Sequence, residues 1–165
     1  MDKTLATEQA KQALITCLRL LAASPKSGPE LRKKLEAKGY PGEIIDQTLD
    51  DLKAQGILDD TRYAKDLMAR LTLGKGAGRH KIAFELKRHG IAKKIRDGLL
   101  VTVSSEDEIE RALAQARMKW AGWAQLDPQK RKKRLYDFLI RKGYDFQIAQ
   151  DILQKLTREI PEEEI

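Results

Sequence analysis

The chain has 165 residues, the size of one ordinary domain, which allows a sizeable core but not several independent domains. Hydrophobic residues make up 41%, charged residues 35% and aromatic residues 5%, a balance that suits thin helical units and argues against an all-β sandwich. The formal net charge is +7, so a polyanion or an acidic protein surface is the expected kind of partner.

Hydrophobic periodicity predicts nine helices in chain order and no convincing strand. The predicted ranges are 5–22, 29–38, 42–55, 60–72, 78–88, 92–101, 106–122, 128–142 and 146–158. Several helix starts carry capping signals: Ser27 and Ser105 each precede a glutamate by three residues, as in a capping box, and Asp127 precedes Pro128. The sequence therefore predicts an all-α fold.

A helix–glycine–helix pattern occurs three times and aligns without gaps on one glycine in each copy. These glycines are Gly39, Gly90 and Gly143. The apolar positions that coincide are Leu31/Ile82/Leu135, Leu35/Leu86/Leu139, Tyr40/Ile91/Tyr144, Ile44/Ile95/Ile148 and Leu49/Leu100/Leu153. Apolar residues four apart make one buried stripe, and a glycine in the left-handed conformation ends the short helix. Since a longer helix leads each copy, the sequence predicts three tandem three-helix repeats.

The predicted repeats span residues 1–57, 58–104 and 105–158. Residues 159–165 are expected to form a short, mobile acidic tail. Stacked repeats contact mainly their neighbours, so we expect an elongated, curved helical-repeat protein.

Residue usage indicates a soluble, cytoplasmic protein. The one cysteine, Cys17, cannot form an intramolecular disulfide, and its apolar neighbours indicate a core position. The apolar runs are far shorter than a membrane span, and the N-terminus lacks the pattern of a signal peptide.

The residue patterns indicate no catalytic, cofactor-binding or metal-binding set. His80 and His89 lack ligand spacing, so a zinc site is not expected. Residues 75–78 are rich in glycine but lack the Gly-Lys-Ser/Thr of a phosphate-binding loop. We therefore expect a protein that is not an enzyme and needs no cofactor.

The stretch 28–70 resembles the RecX family of regulatory proteins. The motifs that carry the resemblance are ELRKKL (30–35), KGY (38–40) and the linked string GILDDTRYA (56–64). Residues 75–91 are similar to the family's second repeat and residues 138–153 to its third. The resemblance covers nearly the whole chain.

The resemblance implies a non-enzymatic regulator of RecA. Such proteins lie along the filament that RecA forms on DNA, limit its extension, and damp its strand-exchange, ATPase and co-protease activities. The implied processes are DNA repair and the SOS response, and the implied partners are RecA and single- or double-stranded DNA. No feature suggests an obligate dimer, so we expect a monomer.

Two clusters of basic residues are the candidate contacts with a filament or DNA. Only Glu85 opposes the first cluster and only Asp137 the second, whereas acids offset the bases of the first repeat. The positive field should therefore be strongest over the middle and C-terminal repeats. The first cluster comprises Lys75, Arg79, Lys81, Lys87, Arg88, Lys93, Lys94 and Arg96. The second comprises Lys130, Arg131, Lys132, Lys133, Arg134, Arg141 and Lys142.

Blander interpretations of the same sequence remain open. The clusters could be ordinary solvated helix faces. The chain could be a general DNA-binding helical-repeat module without RecA specificity, which tight sequence-specific binding to naked duplex would favour. It could also be a scaffold for another acidic protein, which the salt dependence of binding would distinguish from DNA contact.

Overall fold

A computed structural model describes residues 3–159 of the chain and the side chains of residues 6–158. Within that range the backbone forms nine α-helices and no strand, which confirms the predicted all-α fold. The helices are α1 (Lys3–Ala23), α2 (Gly28–Glu36), α3 (Gly42–Ala54), α4 (Asp60–Ala69), α5 (Arg79–Arg88), α6 (Lys93–Val101), α7 (Ser105–Gly122), α8 (Pro128–Lys142) and α9 (Phe146–Glu159). Of the predicted acidic tail 159–165, all but the backbone of Glu159 lies outside the described residues.

The end of α4 differs from the prediction, whereas the other helix ends agree to within about two residues. The predicted helix 60–72 is α-helical only as far as Ala69, and Arg70–Gly74 forms one π-helical turn. Within this turn the Thr72 hydroxyl donates a hydrogen bond to the Met68 carbonyl at 2.8 Å.

Two of the predicted helix caps are confirmed. Ser27 and Glu30 form a reciprocal capping box at α2: the Glu30 N–H donates to Ser27 Oγ at 3.3 Å, and the Ser27 N–H donates to Glu30 Oε2 at 3.0 Å. Asp127 caps α8 because its Oδ1 accepts hydrogen bonds from the backbone N–H groups of Gln129 and Lys130, both at 3.1 Å.

The predicted capping box at Ser105 is wrong. Ser105 is the first residue inside α7, and Ser104 is the cap, whose hydroxyl accepts from the Asp107 N–H. Glu108 is buried, and its carboxylate accepts a hydrogen bond from the Arg79 N–H at 2.6 Å. Because the Glu108 carboxylate bonds to this distant residue, it does not form the capping box at the helix end. Local spacing cannot predict such a tertiary partner.

The described chain is organised in two compact units. The first contains the residues up to Asp66 together with Leu86–Ile95, and the second contains Leu67–Glu85 together with the chain from Arg96 onward. In the first unit α1 packs against α2 and α3 around Cys17 and the leucines of α2. In the second, α7, α8 and α9 pack against one another around Trp120 and Tyr144.

The aligned apolar positions of the repeats are buried most completely on the helix before the glycine. The residues with no exposed area there are Leu31, Ile82, Leu135, Leu35, Leu86 and Leu139. On the following helix the buried position shifts by one residue in the later copies: Leu99 and Ile152 are buried, whereas the predicted Leu100 and Leu153 are half-buried. The repeat pattern therefore identifies the central stripe of each copy, and packing decides its edge.

Candidate functional site

The first predicted basic cluster is divided between the two compact units. Its members in the second unit are Lys75, Arg79, Lys81 and Arg96, and its members in the first unit are Lys87, Arg88, Lys93 and Lys94. The second cluster, 130–142, lies wholly on α8 in the second unit. The second unit therefore carries most of the candidate contacts.

Most of the candidate side chains face solvent. The exposed members are Lys75, Lys81, Lys87, Arg88, Lys93, Lys94, Lys130, Lys133, Arg134 and Arg141. The half-buried members are Arg79, Arg96, Lys132 and Lys142, and Arg131 is buried. Ten of the fifteen candidate side chains are therefore on solvated helix or turn surfaces.

A groove in the second unit brings members of both clusters together. It has a volume of about 340 Å³ and is lined by the end of the π-helical region, the turn before α5, α5 itself and the end of α8. We call it the basic groove, and its lining residues are Leu71, Lys75, Ala77, Lys81, Phe138, Arg141 and Lys142. None of these described residues carries a carboxylate, so positive charge is concentrated beside an apolar surface.

Backbone hydrogen bonds join the two sides of the basic groove. The Gly78 N–H donates to the Lys142 carbonyl at 2.9 Å, and the His80 N–H donates to the Gly143 carbonyl at 3.0 Å. Gly143 ends α8 in the left-handed conformation, with φ 83°, as the repeat pattern predicts. A Cβ on Gly143 would lie 2.3 Å from the Lys81 nitrogen, so the same glycine also permits the close approach of α5.

The turn that carries Lys75 is held by side chains of α7 and α8 and of the turn that follows α8. The Gly76 carbonyl accepts hydrogen bonds from the Tyr144 hydroxyl at 2.8 Å and from Gln115 Nε2 at 2.9 Å. Lys142 Nζ donates to the Lys75 carbonyl at 2.6 Å. Burial raises the pKa of Tyr144 above its ordinary value of 10.0, and its hydroxyl is a protonated donor at neutral pH. These contacts fix the backbone of the turn that carries Lys75 and the position of the Lys142 ammonium group.

Arg79 has a structural role as well as a charge. Its guanidinium Nη2 donates to the Val103 carbonyl at 2.7 Å, and its Nε lies 3.5 Å from a carboxylate oxygen of the buried Glu108. Because this ion pair neutralises much of its charge, Arg79 is a weaker candidate for contact with a polyanion than the lysines beside it.

Arg131 is not available as a surface contact, contrary to its place in the predicted set. Only 6% of the residue is exposed, and its Nε and Nη2 donate to the Trp120 carbonyl at 3.0 and 2.5 Å. The guanidinium carbon lies 4.0 Å from the centre of the Trp120 ring, and burial lowers the pKa of the group. Arg131 precedes Leu135 by four residues, so it belongs to the buried stripe of α8.

Two aromatic side chains of the second unit lie beside cations at the surface. Phe138 and Trp123 are half-buried and meet edge to face, with ring centres 6.3 Å apart. Lys142 Nζ lies 5.5 Å from the centre of the Phe138 ring, and Arg134 lies 4.8 Å from that of Trp123. Phe138 therefore packs at the edge of the core and also lines the basic groove. Helical spacing does not predict this second position.

An equivalent turn in the first unit has different chemistry. Ser27 Oγ donates to the His89 carbonyl at 2.6 Å, and His89 Nδ1 lies 2.9 Å from both Glu30 Oε1 and the Tyr63 hydroxyl. Burial by itself would raise the pKa of Glu30, but hydrogen bonds from the Ser27 N–H and from His89 bring it below its usual value. This turn is a partly buried set of polar contacts rather than a basic surface.

Other features of the described residues concern metal ligands, His80, Cys17 and the length of the helices. Within 3–159, no group of three or more histidine, cysteine or carboxylate side chains is placed to hold a metal ion. His80 Nε2 and Asp145 form an exposed pair 3.4 Å apart, and Cys17 is fully buried in the first core, as predicted. Over the same range, none of the helices combines the length and the apolar character needed to cross a membrane.

These features define a class of protein, namely a helical tandem-repeat protein with positive charge concentrated in a groove. Comparison with protein-family models assigns each repeat separately. Residues 13–52 match the first three-helix domain of RecX, residues 59–100 the second, and residues 106–153 the third.

Curated relatives extend the match over most of the chain. The regulatory protein RecX of Mycolicibacterium vanbaalenii is 32% identical over 153 residues, which cover 89% of this chain and 83% of the relative. The regulatory protein RecX of Chlorobium limicola is 31% identical over 158 residues, which cover 96% and 98%. The chain belongs to the RecX family, whose members are regulatory proteins and not enzymes.

Solved structures show the same fold at lower identity. The crystal structure of RecX from Lactobacillus salivarius matches with a TM-score of 0.79 at 17% identity, and covers 92% of this chain and 99% of that one. A second crystal structure of a regulatory protein RecX matches with a TM-score of 0.78 at 21% identity, and covers 93% and 78%. The predicted fold of three tandem three-helix domains is therefore confirmed.

Proposed function

We propose that this chain regulates RecA by binding the RecA–DNA filament. It limits filament extension and damps the recombination, ATPase and co-protease activities, and so modulates DNA repair and the SOS response in the cytoplasm. Membership of the RecX family supports RecA as the partner. The observation that supports contact with a nucleoprotein filament is the basic groove, where two distant basic segments converge.

The charge of the groove suits recruitment to a filament. Lys75, Lys81 and Arg141 are exposed, so each contributes little affinity singly, but together they steer an anionic partner towards one surface. Lys142 is held in place by its hydrogen bond to the Lys75 carbonyl, which reduces the entropy lost when it binds.

The test is DNA-dependent ATP hydrolysis by the cognate RecA on single-stranded DNA, with this protein at substoichiometric amounts. The groove variant carries Lys75→Gln, Lys81→Gln and Arg141→Gln. A matched control carries three exposed lysines of the first unit changed to glutamine, namely Lys11, Lys33 and Lys34. The two variants lose the same charge, so any difference between them reports on position.

We expect the native protein and the control to inhibit RecA strongly and the groove variant to inhibit it weakly. The salt dependence of DNA binding should also fall by about one unit of slope for each phosphate contact removed. If native protein leaves ATP hydrolysis unchanged while it binds bare DNA tightly, the general DNA-binding alternative replaces this proposal. Equal inhibition by both variants would remove the groove from the mechanism.

A further inference from the structure

A second pocket shares Lys75 and Lys142 with the basic groove. It is an open pocket of about 670 Å³, bordered by the turn before α5 on one side and by α7 on the other. The polar side chains of α7 that line it are Arg111 and Gln115. We call it the Arg111 pocket. Arg111 directly follows an acidic segment that ends at Glu110, so it belongs to neither of the basic clusters found in the sequence.

Two hydrogen-bond donors of the Arg111 side chain are unpaired. Its Nε and Nη2 are buried and have no hydrogen-bond partner in the described part of the chain. Glu108, one turn earlier on α7, is engaged by the backbone and side chain of Arg79. Gln115, one turn later, donates its amide hydrogens to the Gly76 carbonyl and the Tyr144 oxygen. Unpaired donors of this kind are rare in folded proteins and commonly indicate a missing ion or water.

We infer that the Arg111 pocket is an anion site that takes a phosphate group. Three cations, Arg111, Lys75 and Lys142, line it, and none of its described lining residues carries a carboxylate. A phosphate offers several acceptor oxygens and up to two charges, which matches a guanidinium with two ammonium groups better than a single carboxylate does. This inference rests on the proposed function, since it names the chemistry that the same surface holds.

The neighbouring groove favours a nucleic-acid backbone as the source of the phosphate. Because Lys75 and Lys142 line both pockets, the cations follow one another from Arg111 through these two lysines to Lys81 and Arg141. A run of cations beside the half-buried ring of Phe138 is the arrangement that holds successive phosphates and stacks a base. A free phosphate ion would use only the Arg111 pocket.

The experiment measures binding of two probes to the full chain: inorganic phosphate, and a single-stranded oligothymidylate of about twelve nucleotides. Arg111→Gln is compared with Arg19→Gln, a matched loss of an exposed arginine on α1. Phosphate binding is followed through the backbone amide resonances of Thr72 and Gly76, and oligonucleotide binding through fluorescence anisotropy at several salt concentrations.

We expect Arg111→Gln to weaken oligonucleotide binding by about tenfold, the loss of one charge-assisted contact, and to lower the salt slope by about one. Arg19→Gln should bind as the native protein does, and Arg111→Lys should recover part of the affinity. The thermal midpoint of Arg111→Gln should not fall, because the substitution removes an unpaired charge.

Unchanged binding of both probes by Arg111→Gln and Arg111→Lys overturns the inference. If Arg111→Gln weakens the binding of inorganic phosphate but not that of the oligonucleotide, the phosphate site is retained. Its ligand is then a free phosphate ion, and the nucleic-acid backbone is overturned as the source. These outcomes are separate from the proposed function, which fails if the native protein does not inhibit RecA, whatever Arg111 binds.

Discussion

The glycine that ends the short helix of each repeat can be replaced by alanine to compare how closely other segments approach the three turns. Gly39 and Gly143 both follow the helix of the central stripe and have nearly the same φ, 81° and 83°. A Cβ on Gly39 would meet no described atom within 4 Å, whereas a Cβ on Gly143 would lie 2.3 Å from the backbone nitrogen and 2.4 Å from the Cβ of Lys81. Substitution by alanine therefore adds the same backbone strain at both sites and a clash at only one.

The two effects have different magnitudes. Placing alanine in the left-handed conformation costs about 1–2 kcal/mol, which is the whole effect expected for Gly39→Ala. Gly143→Ala adds an overpacking cost of about 1–3 kcal/mol, because the atom it meets belongs to the backbone of α5 and cannot rotate away. The thermal midpoint falls by about 2–4 °C for each kcal/mol in a chain of this size.

Urea unfolding of the full chain, followed by circular dichroism, gives the free energies directly. Gly90→Ala serves as a second clashing site, since its Cβ would lie 2.5 Å from Pro29 Cβ. We expect Gly143→Ala and Gly90→Ala each to be less stable than Gly39→Ala. Equal unfolding free energies for all three would refute the argument that the later turns approach the preceding repeat closely.

Three further predictions concern side chains that are wholly or partly buried. Arg131→Met should lower the free energy of unfolding by about 2–3 kcal/mol because it leaves the Trp120 carbonyl unpaired. The control Lys133→Met, at an exposed position, should change it by less than about 0.5 kcal/mol. Similar urea midpoints for the two variants would contradict this prediction. The pKa of Glu30 is lower in the folded chain than its ordinary value of 4.5, so its stabilisation is present above that pH and is lost as the pH falls through the folded-state pKa. Glu30→Gln should therefore flatten the acid side of the stability profile, and an unchanged profile would contradict the assignment. Cys17 is buried with a raised pKa, so a thiol reagent should modify it only when the chain unfolds, and rapid labelling of native protein would show otherwise.

The sequence by itself determined the features of this protein that depend on local interactions. Helical periodicity predicted all nine helices to within a few residues at most ends, and the central stripe of each repeat, such as Leu31 and Leu35, is completely buried. The capping box at Ser27 and the left-handed Gly143 were also predictable, because both are decided by residues within one turn of the helix end.

Only the tertiary structure decided which charges are available to a partner. Arg131 and Lys133 are two residues apart in one basic run, yet one lies under Trp120 and the other faces solvent. Arg111 was not predicted, because its surroundings depend on contacts between distant segments. Arg79 binds the Glu108 carboxylate, and the turn before α5 lies against α7 beside Arg111. The exposure and pairing of a charge depend on segments far apart in the chain, and a run of basic residues contains no information about those contacts.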